Sequence, residues 1–268
     1  MQNKTIIITG ASSGIGEALA THFAQNGSNI VIAARSADKL AIFAEYLRKY
    51  GVKVLCVPTD VTKAEDCKQL IDKTIATFGG IDVLINNAGI SMRALFEDLD
   101  LAVLEQVMQV NFWGTVYCTR YAIEHLLASK GTVVGVSSIA GYRGLPARTG
   151  YSASKFAMQG FLEALRPEVM DRGVNVMIAC PGFTASNIRK VALTADGTSQ
   201  GETPRTEDKM MTSAECAAHI YQAVVKRKRS LVLTTQGKLT VFLNKWFPGF
   251  MDKMVLNVMK KEADSPFK

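Results

Sequence analysis

The sequence predicts an α/β fold: a doubly wound, mainly parallel sheet of about seven strands with helices on both faces. Three observations carry that expectation. Short β-branched apolar runs recur along the chain, most are separated by longer stretches of helical spacing, and a glycine-rich turn joins the first run to the first helix. Alternation of this kind implies right-handed crossovers between neighbouring parallel strands.

In chain order, the expected strands are Thr5–Thr9, Asn29–Ala33, Val52–Val57, Val83–Asn86, Thr132–Ser137, Val174–Ala179 and Leu231–Thr234. Helical spacing marks Gly16–Gln25, Lys63–Phe78, Leu101–Leu127 and Ser152–Met170. Thr212-Ser-Ala-Glu215 has the reciprocal spacing of a capping box, so a helix is expected from there towards Lys226. The basic run Lys226–Arg229 then sits at that helix's carboxyl end, where cations offset the helix dipole. No aromatic platform accompanies the run, so nucleic acid is not an expected partner.

Neither a repeat nor a Pro/Gly-rich linker divides the 268 residues. Residues 1–235 are therefore expected to form one domain and 236–268 an extension of it. Two segments break the alternation. The polar stretch Thr184–Met211 is too long for an ordinary connection and is expected to be a mobile substrate loop. In 238–261, Leu243, Trp246, Phe247, Phe250, Met251, Met254, Val255 and Val258 recur at helical spacing, interrupted at Pro248. That amphipathic tail would pack on its own domain, join a subunit interface or lie on a membrane surface.

The five cysteines form no ligand or disulfide pattern, so no metal is expected. The three histidines fall in helical stretches and form no ligand motif. The amino terminus lacks the apolar core of a signal peptide, so a cytoplasmic protein, with peripheral membrane contact as an option, is expected. A net charge of +7 favours anionic partners without choosing among them.

Thr9-Gly10-Ala-Ser12-Ser13-Gly14-Ile15-Gly16 follows the first strand and opens the first helix. Glycines there allow a pyrophosphate to approach the backbone, and the helix amino terminus offers unpaired N–H groups. After the second strand stands Arg35, where an acid would bind a ribose 2′-hydroxyl and an arginine a 2′-phosphate. Its guanidinium, with the hydroxyl of Ser36, favours NADP(H); the competing reading gives the ribose to Asp38. Tyr151 and Lys155 are i, i+4 neighbours at a helix start, a spacing at which an ammonium can stabilise a phenolate.

With Asn86-Asn87-Ala88-Gly89, Asn111, Ser137-Ser138 and Pro181-Gly182 in order around them, these motifs resemble the classical short-chain dehydrogenase/reductase family over about the first 235 residues. The resemblance implies a Rossmann-type sheet and an oxidoreductase acting on a carbonyl or secondary alcohol. In it Tyr151 would be the general acid or base, and Ser138 would hold the substrate oxygen. Lys155 would lower the tyrosine pKa and bind the nicotinamide ribose, while Asn111 would hold a water linking Lys155 to solvent. It further implies Asp60 and Val61 at the adenine, Asn87, Ala88 and Gly89 at the adenosine, Ile15 at the pyrophosphate and Pro181 and Gly182 at the nicotinamide. Ser186 takes the position of the family's carboxamide-binding threonine. A homodimer or homotetramer is expected.

Met92, Arg93, Leu95, Phe96, Tyr142, Arg143, Leu145 and Arg148 follow strand ends, where ligands bind in such sheets. Their mixture of apolar and cationic groups would suit a lipophilic carbonyl carrying an acidic group, or serve ordinary loop packing. Two other readings stay open, a 3-oxoacyl thioester reductase and a non-catalytic NADP(H)-sensing protein.

Overall fold

A computed structural model describes residues 1–208 and 210–267. Lys209 of the expected substrate loop and Lys268 of the expected tail lie outside them. Seven strands, β1 (Thr5–Thr9), β2 (Asn29–Ala34), β3 (Val54–Pro58), β4 (Val83–Asn86), β5 (Thr132–Val136), β6 (Asn175–Cys180) and β7 (Ser230–Val232), form one sheet in the order β3-β2-β1-β4-β5-β6-β7. Every neighbouring pair is parallel. The order reverses between β1 and β4, which opens a crevice at their carboxyl ends.

Strands buried on both faces need helices on both. Helices α1 (Gly14–Gln25), α2 (Ala37–Arg48) and α7 (Ser213–Val225) cover one side, where Leu19, Phe23, Leu40 and Ile220 meet Ile6, Ile8, Ile30 and Ile32. Helices α3 (Ala64–Phe78), α5 (Gly114–Ser129) and α6 (Thr149–Met170) cover the other through Leu70, Ile71, Leu126 and Leu162. The capping box forms in both directions: Glu215 N donates to Thr212 Oγ1 at 3.1 Å, and Thr212 N donates to Glu215 Oε2 at 2.8 Å. In the basic run, Arg227 donates to the carbonyls of Lys130 and Gly173, tying two turns together.

Two expected boundaries move. The single helix expected over Leu101–Leu127 is α4 (Leu101–Met108) and α5 joined by a π-turn at Gln109–Trp113. Such a turn inserts a single extra residue between two stretches of ordinary helical spacing, each of which still reads as helix. The last strand ends at Val232 because Thr234 leaves extended geometry, with φ at +63°, and its hydroxyl accepts from Gly237 N. Thr234 thereby caps α8 (Thr235–Trp246), which is followed by α9 (Pro248–Lys260). Pro248 starts α9, where a missing N–H costs no helical bond.

The long loop is tied down. Thr184 bridges Met211 at its base, and Leu193 bridges Met92 in the chain beyond β4. A small core of Met92, Leu99, Val103 and Val107 lies beneath it and touches Tyr151.

Candidate active site

Thr9 closes β1 and organises the first wall of the crevice. Its hydroxyl oxygen accepts from the backbone N–H groups of Asn87 and Ala88, each at 3.0 Å, locking the end of β4 to the glycine loop. The Asn87 amide reciprocates by donating to Thr9 O at 2.9 Å. Gly10 has φ at +64°, and a methyl there would lie 2.8 Å from the Ala88 Cα. At Gly16 a methyl would stand 2.3 Å from the Gly10 carbonyl. These glycines are therefore required by close approach. Ser13 caps α1 without a side-chain bond of its own, which leaves the first-turn N–H groups facing the crevice for an anion.

A cleft of about 830 Å³ runs from this loop across the carboxyl ends of the strands. Gly10, Ser12, Ser13, Gly14 and Ile15 line one end with Arg35, Ser36, Asp60 and Val61. Asn87, Ala88 and Gly89 line its floor, and Pro181, Gly182 and Ser186 the far wall. Gly16 is not on the surface of the cleft; it serves as the packing contact beneath. Lys39, one turn into α2, joins Arg35 and Ser36 at the same edge, whereas Asp38 does not. The sequence reading overlooked Lys39, although an i, i+4 relation to Arg35 was available to find it.

The second half of the cleft carries Ser138, Tyr151 and Lys155. Tyr151 lies in the first turn of α6, and Lys155 follows one turn later at 3% exposure. The ammonium sits 5.8 Å from the centre of the Tyr151 ring and donates to Val136 O at 3.0 Å. Burial pushes Lys155 down to about 8. Burial also raises the Tyr151 phenol, and the strongest opposing influence comes from the Ser138 hydroxyl, followed by Arg148. The expected lowering of Tyr151 by Lys155 is thus not the dominant effect, because the ammonium bonds to the Val136 carbonyl and lies over the ring.

Asn111 belongs to the π-turn and is fully buried behind the cleft. Its Oδ1 accepts from Ile90 N at 2.8 Å, while Nδ2 donates to Ile90 O at 2.9 Å and to Ser154 Oγ at 2.8 Å. Both amide ends therefore clamp the floor to α6, a role not read from the sequence. A methyl on Gly89 would lie 3.2 Å from Asn111 Oδ1 and 3.4 Å from Lys155 Nζ, so both groups face that glycine. Gln159 was also overlooked. One turn beyond Lys155, it donates to Ser137 Oγ at 2.9 Å and to Cys180 Sγ at 3.4 Å, holding the ends of β5 and β6 against α6.

Of the eight substrate-side candidates, Leu145 and Arg148 line the cleft. Met92 is core, Phe96 is exposed, and Arg143 is committed to Asn244 and Asp252 of the tail helices. Arg93 and Arg148 meet Glu262, beyond the end of α9, and Arg205 of the long loop joins them. Neither Arg205 nor Glu262 stands out in the sequence, because their contacts join segments 57 or more positions apart.

Residues 4–196 match the family model described as short chain dehydrogenase. A peanut (Arachis hypogaea) protein named 11-beta-hydroxysteroid dehydrogenase A is 36% identical over 260 residues, 93% of this chain and 73% of that protein. The Arabidopsis thaliana protein 11-beta-hydroxysteroid dehydrogenase-like 2 is 44% identical over 187 residues, and the match spans only 60% of its length. Among solved structures, an alcohol dehydrogenase from Thermococcus sibiricus complexed with 5-hydroxy-NADP is 27% identical, with a TM-score of 0.78 over 87% of this chain and 96% of that one. A Burkholderia phymatum short chain dehydrogenase/reductase in complex with NAD, 24% identical, shares the fold at a TM-score of 0.83 over 93% of this chain and 95% of that one. With the family model covering well over half of the residues, the chain belongs to the short chain dehydrogenase family.

Proposed function

We propose that this protein is an NADP(H)-dependent oxidoreductase that interconverts a lipophilic carbonyl compound and its secondary alcohol. The observation that carries the reading is the convergence of Ser138, Tyr151 and Lys155 on a cleft continuous with the glycine loop. The Gly10–Gly16 cradle and the free first turn of α1 fit a dinucleotide pyrophosphate. NADP(H), when bound, supplies or accepts the hydride. Preference for the phosphorylated coenzyme is supported by Arg35, Ser36 and Lys39 at the cleft edge from which Asp38 is missing.

In the reductive direction Tyr151 Oη donates its proton to the substrate oxygen, and in oxidation it takes that proton back. Ser138 donates a hydrogen bond to the same oxygen and stabilises the charge developing on it. Lys155 holds the nicotinamide ribose hydroxyls. With its ammonium 5.8 Å from the centre of the phenol ring, it also restores the proton that Tyr151 gives up. Asn111, whose Oδ1 faces Gly89 beside Lys155 and keeps a second lone pair beyond its bond from Ile90 N, is assigned the water that links the lysine to solvent.

Lipophilic secondary alcohols as substrates are supported by the hydroxysteroid dehydrogenase names of the plant relatives and by Leu145 and Leu193 on the cleft wall. Ketones, aldehydes, steroids and acyl thioesters offered with NADPH and with NADH test the reading. Oxidation of NADPH in preference to NADH by a ketone, aldehyde or steroid is expected, whereas nucleotide binding with no turnover across the panel contradicts it.

No helix among the described residues is long and apolar enough to cross a membrane. The tail helices divide their apolar residues between two faces: Met251, Val255 and Met259 are buried, while Leu239, Phe242, Trp246, Phe247 and Phe250 are exposed. That outer face supports a peripheral membrane contact of a cytoplasmic protein, and exposed Trp113 and Phe156 support a homodimer or homotetramer. Vesicle sedimentation with and without residues 238–268 tests the first; equal behaviour of the two forms removes the membrane contact.

A further inference from the structure

Charge is concentrated and unbalanced where Arg148, Arg205 and Glu262 line the cleft. Arg148 Nη2 donates to Glu262 Oε2 at 2.7 Å, Arg205 Nε donates to Oε1 at 2.6 Å, and Arg93 Nε stands 3.5 Å from Oε2. The Glu262 side chain is 2% exposed and that of Arg93 8%. Three guanidinium groups thus share one carboxylate.

Two of their donors, Arg93 Nε and Arg205 Nη2, are buried with no hydrogen-bond partner among the described residues. A buried donor without an acceptor is costly, so these two N–H groups are available to an incoming anion that takes over the Glu262 position. Burial acts to raise the Glu262 carboxyl, but Arg148 and Arg205 outweigh it and hold the group below the usual carboxylate range. Glu262 is accordingly an anion there. Arg205 is also stacked 4.1 Å over the Phe183 ring, which fixes its plane.

Position gives the cluster its meaning. Arg148, Arg205 and Glu262 line the same cleft as Tyr151, and Arg148 precedes Tyr151 by three residues. We propose that Arg93, Arg148 and Arg205 are a substrate-anchoring anion site, and that the substrate is a carbonyl compound or alcohol bearing a carboxylate that displaces Glu262. A carboxylate is favoured because the resident group is one, with Arg148 on one oxygen and Arg205 on the other. The segment beyond α9 that would withdraw is held by Arg93 Nη2 donating to Ala263 O, Ala263 N donating to Pro204 O and Ser265 Oγ donating to Met259 O. The substrate class rests on the oxidoreductase reading; the anion site does not.

The test therefore has a binding arm independent of turnover. With the full chain saturated with NADPH, calorimetry should detect benzoate binding and no binding of benzamide. Glu262→Gln, which removes the competing carboxylate, should tighten benzoate about tenfold (~1.4 kcal/mol), and Arg205→Gln should abolish its binding. If Glu262→Gln fails to fold, the benzoate–benzamide contrast and Arg205→Gln carry this arm. In the kinetic arm, 4-carboxybenzaldehyde should exceed its methyl ester in kcat/KM by about tenfold or more, and Arg205→Gln should collapse that ratio.

Benzoate binding with the expected variant responses but no turnover of any carbonyl supports the anion site and removes the oxidoreductase reading. Turnover of the ester at least equal to the acid, with no benzoate binding, overturns the anion site and leaves that reading standing. Inorganic phosphate displacing benzoate at lower concentration than acetate overturns the carboxylate class.

Discussion

The two ends of the cleft are built by different means. At the cofactor end, the walls are backbone: Gly10, Gly16 and Ala88 approach so closely that a single methyl group would collide with main chain. At the substrate end, the walls are long side chains from distant segments, joined through Glu262 and the arginines around it. The first construction is rigid because it has no rotamers to change. The second leaves the reach and charge of the site to side chains that can exchange partners.

A methyl group added in the glycine loop and one added in the long loop sharpen the contrast. Gly16→Ala should cost about 3 kcal/mol in chemical denaturation, because the new Cβ lies 2.3 Å from the Gly10 carbonyl and no flexible atom can yield. Gly201→Ala, in the long loop, should cost only about 1 kcal/mol, since φ is +82° but nothing stands within 4 Å of the added carbon. Equal losses would mean that the backbone approach at Gly16 is not rigid.

Lys155 lies where the two constructions meet. Burial holds it at about 8 in the folded protein, against an ordinary 10.5, so the unfolded chain binds the extra proton between those pH values. Stability contributed by this group is therefore lowest below pH 8 and rises as pH increases towards 10.5, by roughly 3 kcal/mol in all. Denaturation of wild type and Lys155→Met without added nucleotide should converge on a pH-dependent difference of that sign. A flat difference would mean that the ammonium is solvated.

The same contrast explains what the sequence made legible. Glycine spacing after Thr9, and the order of Ser138, Tyr151 and Lys155, are local patterns tied to backbone geometry and helix periodicity, and Gly10, Gly14, Ser138, Tyr151 and Lys155 line one cleft. The π-turn that buries Asn111 preserves helical periodicity on both sides and leaves no mark in the pattern. Arg93 and Arg148 were visible as cations after strand ends, but their partner was not: Glu262 is an unremarkable acid until α9 returns it to the cleft. Arg143, grouped with them by position, instead holds the tail helices through Asn244 and Asp252.

Replacement of Tyr151 by Phe tests the central claim most directly, because it removes one oxygen and leaves the ring. Measured on any substrate that the wild type reduces, kcat should fall by about 10²–10⁴-fold, while NADPH affinity, read by direct titration, stays within about twofold of wild type. Turnover retained with normal NADPH affinity would contradict proton exchange at Tyr151 and require another acid in the cleft.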